Sequence, residues 1–266
     1  MIVSRIFGGL GNQIFQVGAA LLLAKKKGCT QIIFDVSSLG SYETKRKNEL
    51  LSFFNFDSLN IEVSFTGCFV TRLRIPKILA IKHQYYPFVG DSNFEFVIEN
   101  SKSKFFFLDG YFQASLIQKH FDEEIELLNM VYIQRNLKRY NDCIIHIRGG
   151  DFVKLGWDVV NDKSYYESAI NRIKSVNSDV KFLVVTDDRA YAEKLLNGID
   201  IVYQFIGKNM IDDFNLIGGY QYQILSSSTF ALWASCLGQK ADGLVFAPKY
   251  WLPDLRRQIK LPNEVK

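Results

Sequence analysis

Apolar runs and helical periodicities alternate along the chain, and this alternation predicts an α/β fold. Ile2–Phe7 is an apolar, β-branched run typical of a strand, and a glycine-rich stretch follows it. From Asn12 the apolar residues recur at helical spacing until Gly28, and Gln31–Asp35 is a second predicted strand. A strand, a loop, a helix and another strand in this order predict the opening of a parallel, Rossmann-like sheet.

The second half of the chain repeats this pattern. Residues 37–100 are mixed, aromatic and basic, and they predict no clear element. A polar segment rich in Asn and Arg, 133–142, predicts a boundary, so we expect domains at 1–135 and 136–266 with a ligand cleft between them. The strands predicted after residue 100 are Lys104–Leu108, Cys143–Ile147, Lys181–Thr186, one near Ile201, one ending at Leu225, and Gly243–Phe246, and the helices are Ser115–Asn129, Lys163–Val176, Arg189–Leu196, one from Ile211, and Thr229–Leu237.

Composition and charge narrow the class of protein. The chain has 266 residues, of which 48% are hydrophobic, so it is long enough for two domains with sizeable cores and disorder is not expected. The net charge of +4 suits a protein that handles anionic small molecules or contacts an anionic membrane surface. It lacks the dense basic patch of a dedicated nucleic-acid binder, so no nucleic-acid partner is expected.

The cysteines and the apolar runs predict a reduced, cytoplasmic protein. Cys29, Cys68, Cys143 and Cys236 are scattered without a CxxC spacing, which favours neither a zinc site nor a disulfide framework. All but Cys68 lie in apolar segments and are expected to be core residues. The chain start lacks the basic-then-apolar order of a signal peptide, and the longest apolar run, Val17–Ala24, is too short to span a bilayer.

The first candidate binding element is the stretch GGLGNQ, Gly8–Gln13. Glycines between a strand and a helix allow backbone N–H groups to approach an anion or a sugar closely, so Gly9, Gly11 and Asn12 are candidates. The third glycine of a dinucleotide-binding fingerprint is missing. The alternative is a tight turn in which Asn12 is the N-cap of the helix.

The second candidate is CIIHIRGGDF, Cys143–Phe152, in which an apolar strand ends in charge. Arg148 lies at the carboxyl end of a predicted parallel strand, where ligands bind, and an arginine holds phosphate in a bidentate fork. The alternative is a structural salt bridge between Arg148 and Asp151. The chain has three histidines, so His146 cannot belong to a His-rich metal site, and its alternative is a satisfied histidine in the strand.

Two further strand ends carry polar side chains. Thr186 and Asp187 end one strand, and Asp188 is equally suited to be the N-cap of the next helix. Four hydroxyl residues, Ser226–Thr229, follow another strand, and the next helix begins inside them. Backbone N–H groups, the positive end of the helix dipole and hydroxyl donors together predict a phosphate cradle, because capping alone needs one hydroxyl.

Several motifs are absent from the sequence. There is no P-loop, no Tyr-x-x-x-Lys and no Asp-x-Asp, so a metal–diphosphate clamp of the usual kind is not visible. If a nucleotide diphosphate binds, protein cations and dipoles must neutralise it, and Arg148 is then the obvious cation.

Four stretches lie at characteristic positions along the chain. They are GGLGNQIFQ at Gly8–Gln16, FLDGYFQ at Phe107–Gln113, HIRGGDF at His146–Phe152, and DDFNLI with SSSTFALWASCL within Asp212–Leu237. Together they resemble the bacterial α-1,2-fucosyltransferases, whose motifs they match in order and spacing across about Met1 to Trp251. The resemblance implies a GT-B-like fold of two Rossmann-like domains, inversion at the sugar, no metal or other cofactor, and GDP-fucose as donor.

The resemblance also assigns roles to residues. It places Arg148 on the β-phosphate of the donor, where it would stabilise the GDP leaving group, and His146 near the nucleoside. The sequence departs from the family at Gly149, where relatives carry a second arginine, and at Ser227, where they carry an asparagine. The implied donor-binding set is Gly9, Gly11, Asn12, His146, Arg148, Asp187, Asp213, Ser227, Ser228 and Thr229.

The implied reaction is attack by O2 of a terminal galactose on the fucose anomeric carbon, with inversion from β to α. The C-terminal domain would hold GDP and the N-terminal domain the acceptor. Asp109 and Asp151 are both candidates for the general base, together with Arg148 as catalytic residues, and the sequence does not decide between the two acids. Another nucleotide sugar or acceptor hydroxyl, and a catalytically silent binder, are alternatives.

The expected partners follow from this reaction. The acceptor is a galactose-terminated oligosaccharide of a bacterial surface glycan such as O-antigen, lipid-linked or free. Peripheral contact with the inner face of the membrane stays open. The aromatic and basic region 69–96 is suited to contact the acceptor or the membrane, or else to irregular packing.

Overall fold

A computed structural model describes residues 1–41, 48–67, 88–113, 119–133, 139–158, 162–238, 243–252, 255–257 and 260–265. The chain divides into two compact units, Met1–Ile133 and Gln134–Lys266, and the division lies close to the boundary expected at residue 135. Cys68 and most of region 69–96 fall outside the described residues.

The first unit is built on a five-stranded sheet. The strands are β1 Ile2–Arg5, β2 Gln31–Asp35, β3 Glu62–Thr66, β4 Phe88–Val89 and β5 Phe106–Leu108, and the helices are α1 Leu10–Lys27, α2 Leu50–Phe53, α3 Phe94–Asn100 and α4 Phe121–Val131. The strand order is β3-β2-β1-β5-β4, and every pairing in the sheet is parallel. The unassigned region 37–100 thus contains regular structure on both sides of residues 68–87, in β3, β4, α2 and α3.

Helix α1 is the central helix of the first unit. Every residue from Leu10 to Ala24 except Asn12 is buried, and the helix packs against α4. It ends where the sequence predicts, because Gly28 adopts a left-handed conformation with φ 61° and its N–H bonds the carbonyl of Ala24. The N-cap position is Gly9, so the alternative that Asn12 caps this helix is wrong.

The second unit contains another all-parallel sheet, in the order β10-β9-β6-β7-β8. Three of its helices, α6, α7 and α9, have the bounds that the apolar spacing predicts. The strands are β6 Tyr140–Ile147, β7 Phe182–Thr186, β8 Tyr203–Phe205, β9 Tyr220–Ile224, β10 Leu244–Phe246 and an antiparallel pair of β11 Tyr250–Leu252 and β12 Leu255–Arg256, and the helices are α5 Asp151–Lys154, α6 Lys163–Val176, α7 Arg189–Leu196, α8 Met210–Gly219 and α9 Thr229–Leu237.

The end of the described chain covers one edge of this sheet. The Val245 N–H of β10 bonds the carbonyl of Asn263 at 3.0 Å, and the Val265 N–H returns a bond to Val245 at 2.9 Å. Glu264 forms a two-pronged ion pair with Arg257, and both side chains are largely buried, with 6% of Arg257 and 13% of Glu264 exposed. Residues 263–265 therefore form a short parallel bridge with β10.

Burial of the cysteines agrees with the prediction of reduced core residues. Cys29, Cys143 and Cys236 are all buried. Cys143 lies in the core that β6 and β7 form with helix α6.

Candidate active site

Each sheet has a switch point, at which strands from two different stretches of the chain lie side by side. In the first unit the chain runs from β1 outward to β3, crosses to β4 at the opposite edge and returns to β5 beside β1, so the switch point lies between β1 and β5. In the second unit it lies between β6 and β9. Ligands of open α/β sheets bind at the carboxyl ends of the strands at such switch points.

Arg148 directly follows β6 and lies between two carboxylates. Its Nη2 is 2.6 Å from Oδ1 of Asp151, and its Nη1 is 2.6 Å from Oδ2 of Asp187. The guanidinium also lies over the ring of Phe152, 5.7 Å from its centroid. The salt bridge with Asp151 that the sequence left open is therefore present, and Asp187 extends it.

The two glycines after Arg148 allow the loop to approach the end of β7 closely. The Gly149 N–H donates to Oδ1 of Asp187 at 2.8 Å, and a Cβ on Gly149 would lie 2.5 Å from Cβ of Asp188. Gly150 has φ 51°, a conformation that L side chains rarely adopt. With Asp188 in this position, residue 149 has no room for a side chain, which gives the departure from the family arginine a steric reason.

Asp187 and Asp188 divide two tasks between them. Asp188 is the N-cap of α7, because its Oδ1 accepts from the Tyr191 N–H at 3.0 Å, as one interpretation of the sequence predicts. Asp187 accepts from Arg148 and from the Gly149 N–H, so it fixes the loop that follows β6. Its role in donor binding stays a prediction.

His146 is a buried, neutral histidine on β6. Burial, with a smaller contribution from the nearby Arg148 charge, lowers its pKa to about 3. Its Nδ1 lies 2.7 Å from the hydroxyl of Ser226, and its backbone carbonyl accepts from the Tyr166 hydroxyl at 3.2 Å. The pair joins the ends of β6 and β9 across the switch point. Ser226 was not among the predicted site residues, although it is the first hydroxyl of the predicted cradle.

The remaining hydroxyls follow β9 at the same switch point. Ser226, Ser227 and Ser228 are all buried, and Thr229 begins α9. Ser228 occupies the N-cap position, but its side chain caps no N–H of the helix. Helix capping therefore does not account for this hydroxyl.

Asp213 contacts the loop that precedes α8. It is part of α8, and its Oδ1 accepts from the Lys208 N–H at 3.0 Å. Partial burial raises the pKa of this carboxyl, and the bond from Lys208 opposes the shift. The structure thus gives Asp213 a bond to the loop before its own helix.

In the glycine loop after β1, Gly8 is the residue that requires a left-handed backbone conformation. Gly8 was not among the predicted site residues. Gly8 has φ 80°, and its carbonyl accepts from the Gln13 side-chain amide at 3.1 Å. Asn12 accepts from the side chain of Gln113 at 2.8 Å, which joins the first turn of α1 to the loop after β5. A Cβ on Gly9 would meet no atom within 4 Å, so its face of the loop is open. Gly11 is buried in α1.

Asp109 follows β5 and is paired with Arg5 at the end of β1. The Arg5 Nη1 donates to Oδ1 of Asp109 at 3.2 Å, and the Asp109 side chain is 55% exposed. Arg5 also donates through Nε to the hydroxyl of Ser38 at 2.7 Å. Arg5 and Ser38 were not predicted. A charged residue at the end of an otherwise apolar strand, the signal that identified Arg148, applies equally to Arg5.

Among the described residues, no group of three or more His, Cys, Asp or Glu side chains is placed to hold a metal ion. In the same part of the chain, no helix combines the length and apolar character that a bilayer crossing requires.

Comparison with known proteins identifies the family. The O-antigen biosynthesis glycosyltransferase WbnK of Escherichia coli is 27% identical over 93% of this chain and 94% of its own, and an alpha-1,2-colitosyltransferase of the same species is 26% identical over 94% and 92%. The crystal structure of fucosyltransferase NodZ from Bradyrhizobium matches with a TM-score of 0.57 at 16% identity, covering 88% of this chain and 92% of that one. This match confirms the predicted GT-B-like fold. Residues 77–264 match the model of glycosyl transferase family 11, and the chain belongs to that family of glycosyltransferases.

Proposed function

We propose that this glycosyltransferase moves L-fucose from GDP-fucose to O2 of a terminal galactose in a bacterial surface glycan, with inversion at the anomeric carbon. Membership of family 11 supports the reaction class. A relative that covers nearly the whole chain acts in O-antigen biosynthesis, which supports a surface glycan as acceptor. NodZ, whose crystals were soaked with GDP-fucose, shares the fold and supports this donor.

One structural observation carries the proposal for this chain. A cation, Arg148, ends β6, and a hydroxyl segment with the N-terminus of α9 follows β9, so both lie at one switch point. Guanidinium, backbone N–H and hydroxyl groups are the donors that stabilise a diphosphate without a metal ion. We therefore assign GDP to the second unit and the acceptor to the first.

The transfer step follows from this assignment. The acceptor oxygen forms a bond to the fucose anomeric carbon while the bond from that carbon to the diphosphate oxygen breaks. The electron pair stays on GDP, whose growing charge Arg148 stabilises. For this, a phosphate oxygen must replace a carboxylate on the guanidinium, and Asp151 suits the exchange because its side chain is 55% exposed.

The proton of the attacking hydroxyl must pass to a base. Asp109 and Asp151 are both exposed carboxylates beside an arginine. Asp109 belongs to the unit assigned to the acceptor, so we propose Asp109 as the base and keep Asp151 as the second candidate. Exchanging each for asparagine separates them, because loss of the base lowers kcat without weakening GDP binding.

The test of the function is a transfer assay in EDTA. The protein is incubated with GDP-fucose and a β-galactoside such as lactose, and the product linkage is determined by NMR. We expect release of one GDP for each α-1,2-linked fucose. An α-linkage to another hydroxyl would refute the proposed regiochemistry, and absence of both GDP binding and transfer would refute the function.

A second donor has a specific observation in its favour. One relative over nearly the whole chain is an alpha-1,2-colitosyltransferase, and colitose resembles fucose without the 3-hydroxyl. A parallel assay with GDP-linked colitose decides between them. A higher kcat/KM for colitose than for fucose would replace fucose as the proposed donor sugar.

A further inference from the structure

The loop after β5, residues 109–113, contains a backbone conformation that needs support. Phe112 has φ 57°, and Asn263 is the other non-glycine residue with positive φ among those the structure describes. Asparagine tolerates this region, whereas for a bulky residue it is a sterically unfavourable outlier. Such a conformation persists only where its surroundings impose it.

Asp91 imposes it. This residue follows β4, and its carboxylate accepts two backbone N–H groups of the loop, from Tyr111 at 3.0 Å to Oδ2 and from Phe112 at 2.5 Å to Oδ1. Bonds from N–H groups to a carboxylate are the stronger, charge-assisted kind. The Phe112 ring is buried, with its centroid 5.2 Å from that of Phe94 in α3, so packing holds the other side of the residue.

Gly110 lets the carboxylate come this close. A Cβ on Gly110 would lie 2.5 Å from Oδ2 of Asp91 and 3.1 Å from its backbone nitrogen. Any side chain at position 110 would therefore push Asp91 away from the two N–H groups. Gly110 and Asp91 therefore act together. They are separated along the chain, and their contact joins the loop after β4 to the loop after β5.

Three residues of this loop contact residues in β1, just after it or in the first turn of α1, and one of them is the proposed base Asp109. Asp109 pairs with Arg5, the Tyr111 ring lies 4.7 Å from that of Phe7, and Gln113 bonds Asn12. Phe112 lies within this loop and is buried, and Asp91 holds its backbone. The conformation of Phe112 therefore determines where the side chains of Asp109, Tyr111 and Gln113 are placed. Asp91 itself contacts the loop through backbone N–H groups.

We propose that Asp91 is a positioning residue for the acceptor: its carboxylate holds the loop 109–113 in the conformation that presents Asp109 and Tyr111 to the acceptor sugar. This inference rests on the proposed function, since it assigns the acceptor to the first unit. It predicts that disturbing Asp91 affects the acceptor and leaves the donor, bound in the second unit, unaffected.

The test compares Asp91→Asn with wild type in the transfer assay, using whichever donor the wild type turns over. An asparagine keeps the shape but offers one accepting oxygen for two N–H groups. We expect kcat/KM for the acceptor to fall about 10²-fold, the scale of a reacting group displaced by about 1 Å. The Kd for GDP, which binds to the second unit, should change less than twofold.

Two further variants guard against a purely structural explanation. Gly110→Ala keeps the carboxylate but displaces it, and should reproduce the loss on the acceptor side. Asp162→Asn removes a carboxylate that accepts from the Tyr165 N–H at the start of α6, a comparable backbone bond away from the loop, and should lower the melting temperature without a specific acceptor effect.

The outcomes separate the two proposals. An active wild type with unchanged acceptor kcat/KM in both Asp91→Asn and Gly110→Ala overturns the positioning role and leaves the function intact. An equal loss of GDP affinity also overturns it. A wild type inactive with every donor overturns the proposed function, and the positioning role with it.

Discussion

Arg148 forms ion pairs with two carboxylates before any donor binds. A donor diphosphate must therefore compete with Asp151 and Asp187 for the guanidinium. These pairs are partly exposed, and exposed pairs contribute only about 0–1 kcal/mol each. The exchange is consequently inexpensive, and the arginine is kept in a defined orientation until a phosphate arrives.

Replacing this arginine should therefore affect catalysis far more than folding. We expect Arg148→Ala to lower kcat by about 10²–10³-fold, as loss of one charge-stabilising donor typically does. The melting temperature should change little, since the lost pairs are weak. Steady-state kinetics and thermal unfolding measure the two effects.

Arg189→Ala is the matched control for Arg148→Ala. Arg189 is an exposed arginine of the same unit that pairs with Glu193 within α7. Its loss should leave kcat unchanged. A fall in kcat for both variants would show that general loss of positive charge, and not the position of Arg148, governs the rate.

Restoring the family's second arginine should harm this protein. In Gly149→Arg the new Cβ meets Cβ of Asp188, whose carboxylate caps α7. Overpacking costs about 1–3 kcal/mol and a lost cap about 1 kcal/mol more. We expect a destabilised protein with no tighter GDP binding, measured by urea unfolding and calorimetry.

A double-mutant cycle tests this steric explanation. Asp188→Gly removes the opposing Cβ, so Gly149→Arg should cost less in that background than in wild type. Additive free energies of unfolding would contradict the clash as the cause.

Some of these residues carry a local sequence signal and others do not. Arg148 was found because charge interrupts an apolar strand, and Asp188 because a cap has a local signature. Asp91 and Ser38 carry no such signal, because their partners lie at the end of another strand or in the loop after it and meet them only when the sheet forms. Gly149 was recognised as a departure, but its reason depends on a neighbour 39 positions further along the chain.

At the scale of elements, the packing of α1 on α4 buries a carboxyl group. Glu124 is fully buried, and neither carboxylate oxygen has a hydrogen-bond partner among the described residues. Gly18 of α1 makes room for it, because a Cβ there would lie within 1.9 Å of Oε1. Burial raises the pKa of Glu124 well above its usual 4.5, which favours the protonated side chain in the fold.

This carboxyl should make stability depend on pH. A raised pKa in the folded state means that the contribution of Glu124 is fully present below its unfolded pKa and declines as pH rises toward the folded value. The Glu124→Gln side chain cannot titrate. We therefore expect the free energy of unfolding of this variant to increase relative to that of wild type as pH rises above 4.5. Urea unfolding between pH 4.5 and 8 measures this difference.

Glu126→Gln provides the comparison, because Glu126 is exposed on the same helix. Its stability difference from wild type should stay nearly constant across this pH range. A parallel trend in both variants would point to net charge and would contradict a buried, protonated Glu124.

At the scale of the molecule, the alternation of strands and helices was sufficient to predict two parallel α/β units. Helices such as Thr229–Leu237 were placed to the residue, because their apolar spacing reflects a core they must cover. Residues 37–100 were not assigned, since β4 has two residues and α2 has four, too few to establish a period. The order of strands, and hence the switch points, could not be predicted, because pairing depends on contacts distant in sequence.

The strand pairing of the chain's tail has a consequence for handling the protein in solution. An unpaired sheet edge is a template for self-association, and residues 263–265 cover that of β10. A form truncated after Arg257 would expose this edge and leave the nearly buried guanidinium without its carboxylate. We expect it to aggregate with increasing concentration in light scattering, whereas Glu264→Gln, which keeps the strand, should stay monodisperse. Purification tags and crystallisation truncations at this terminus therefore act on colloidal behaviour even where they leave the active site untouched.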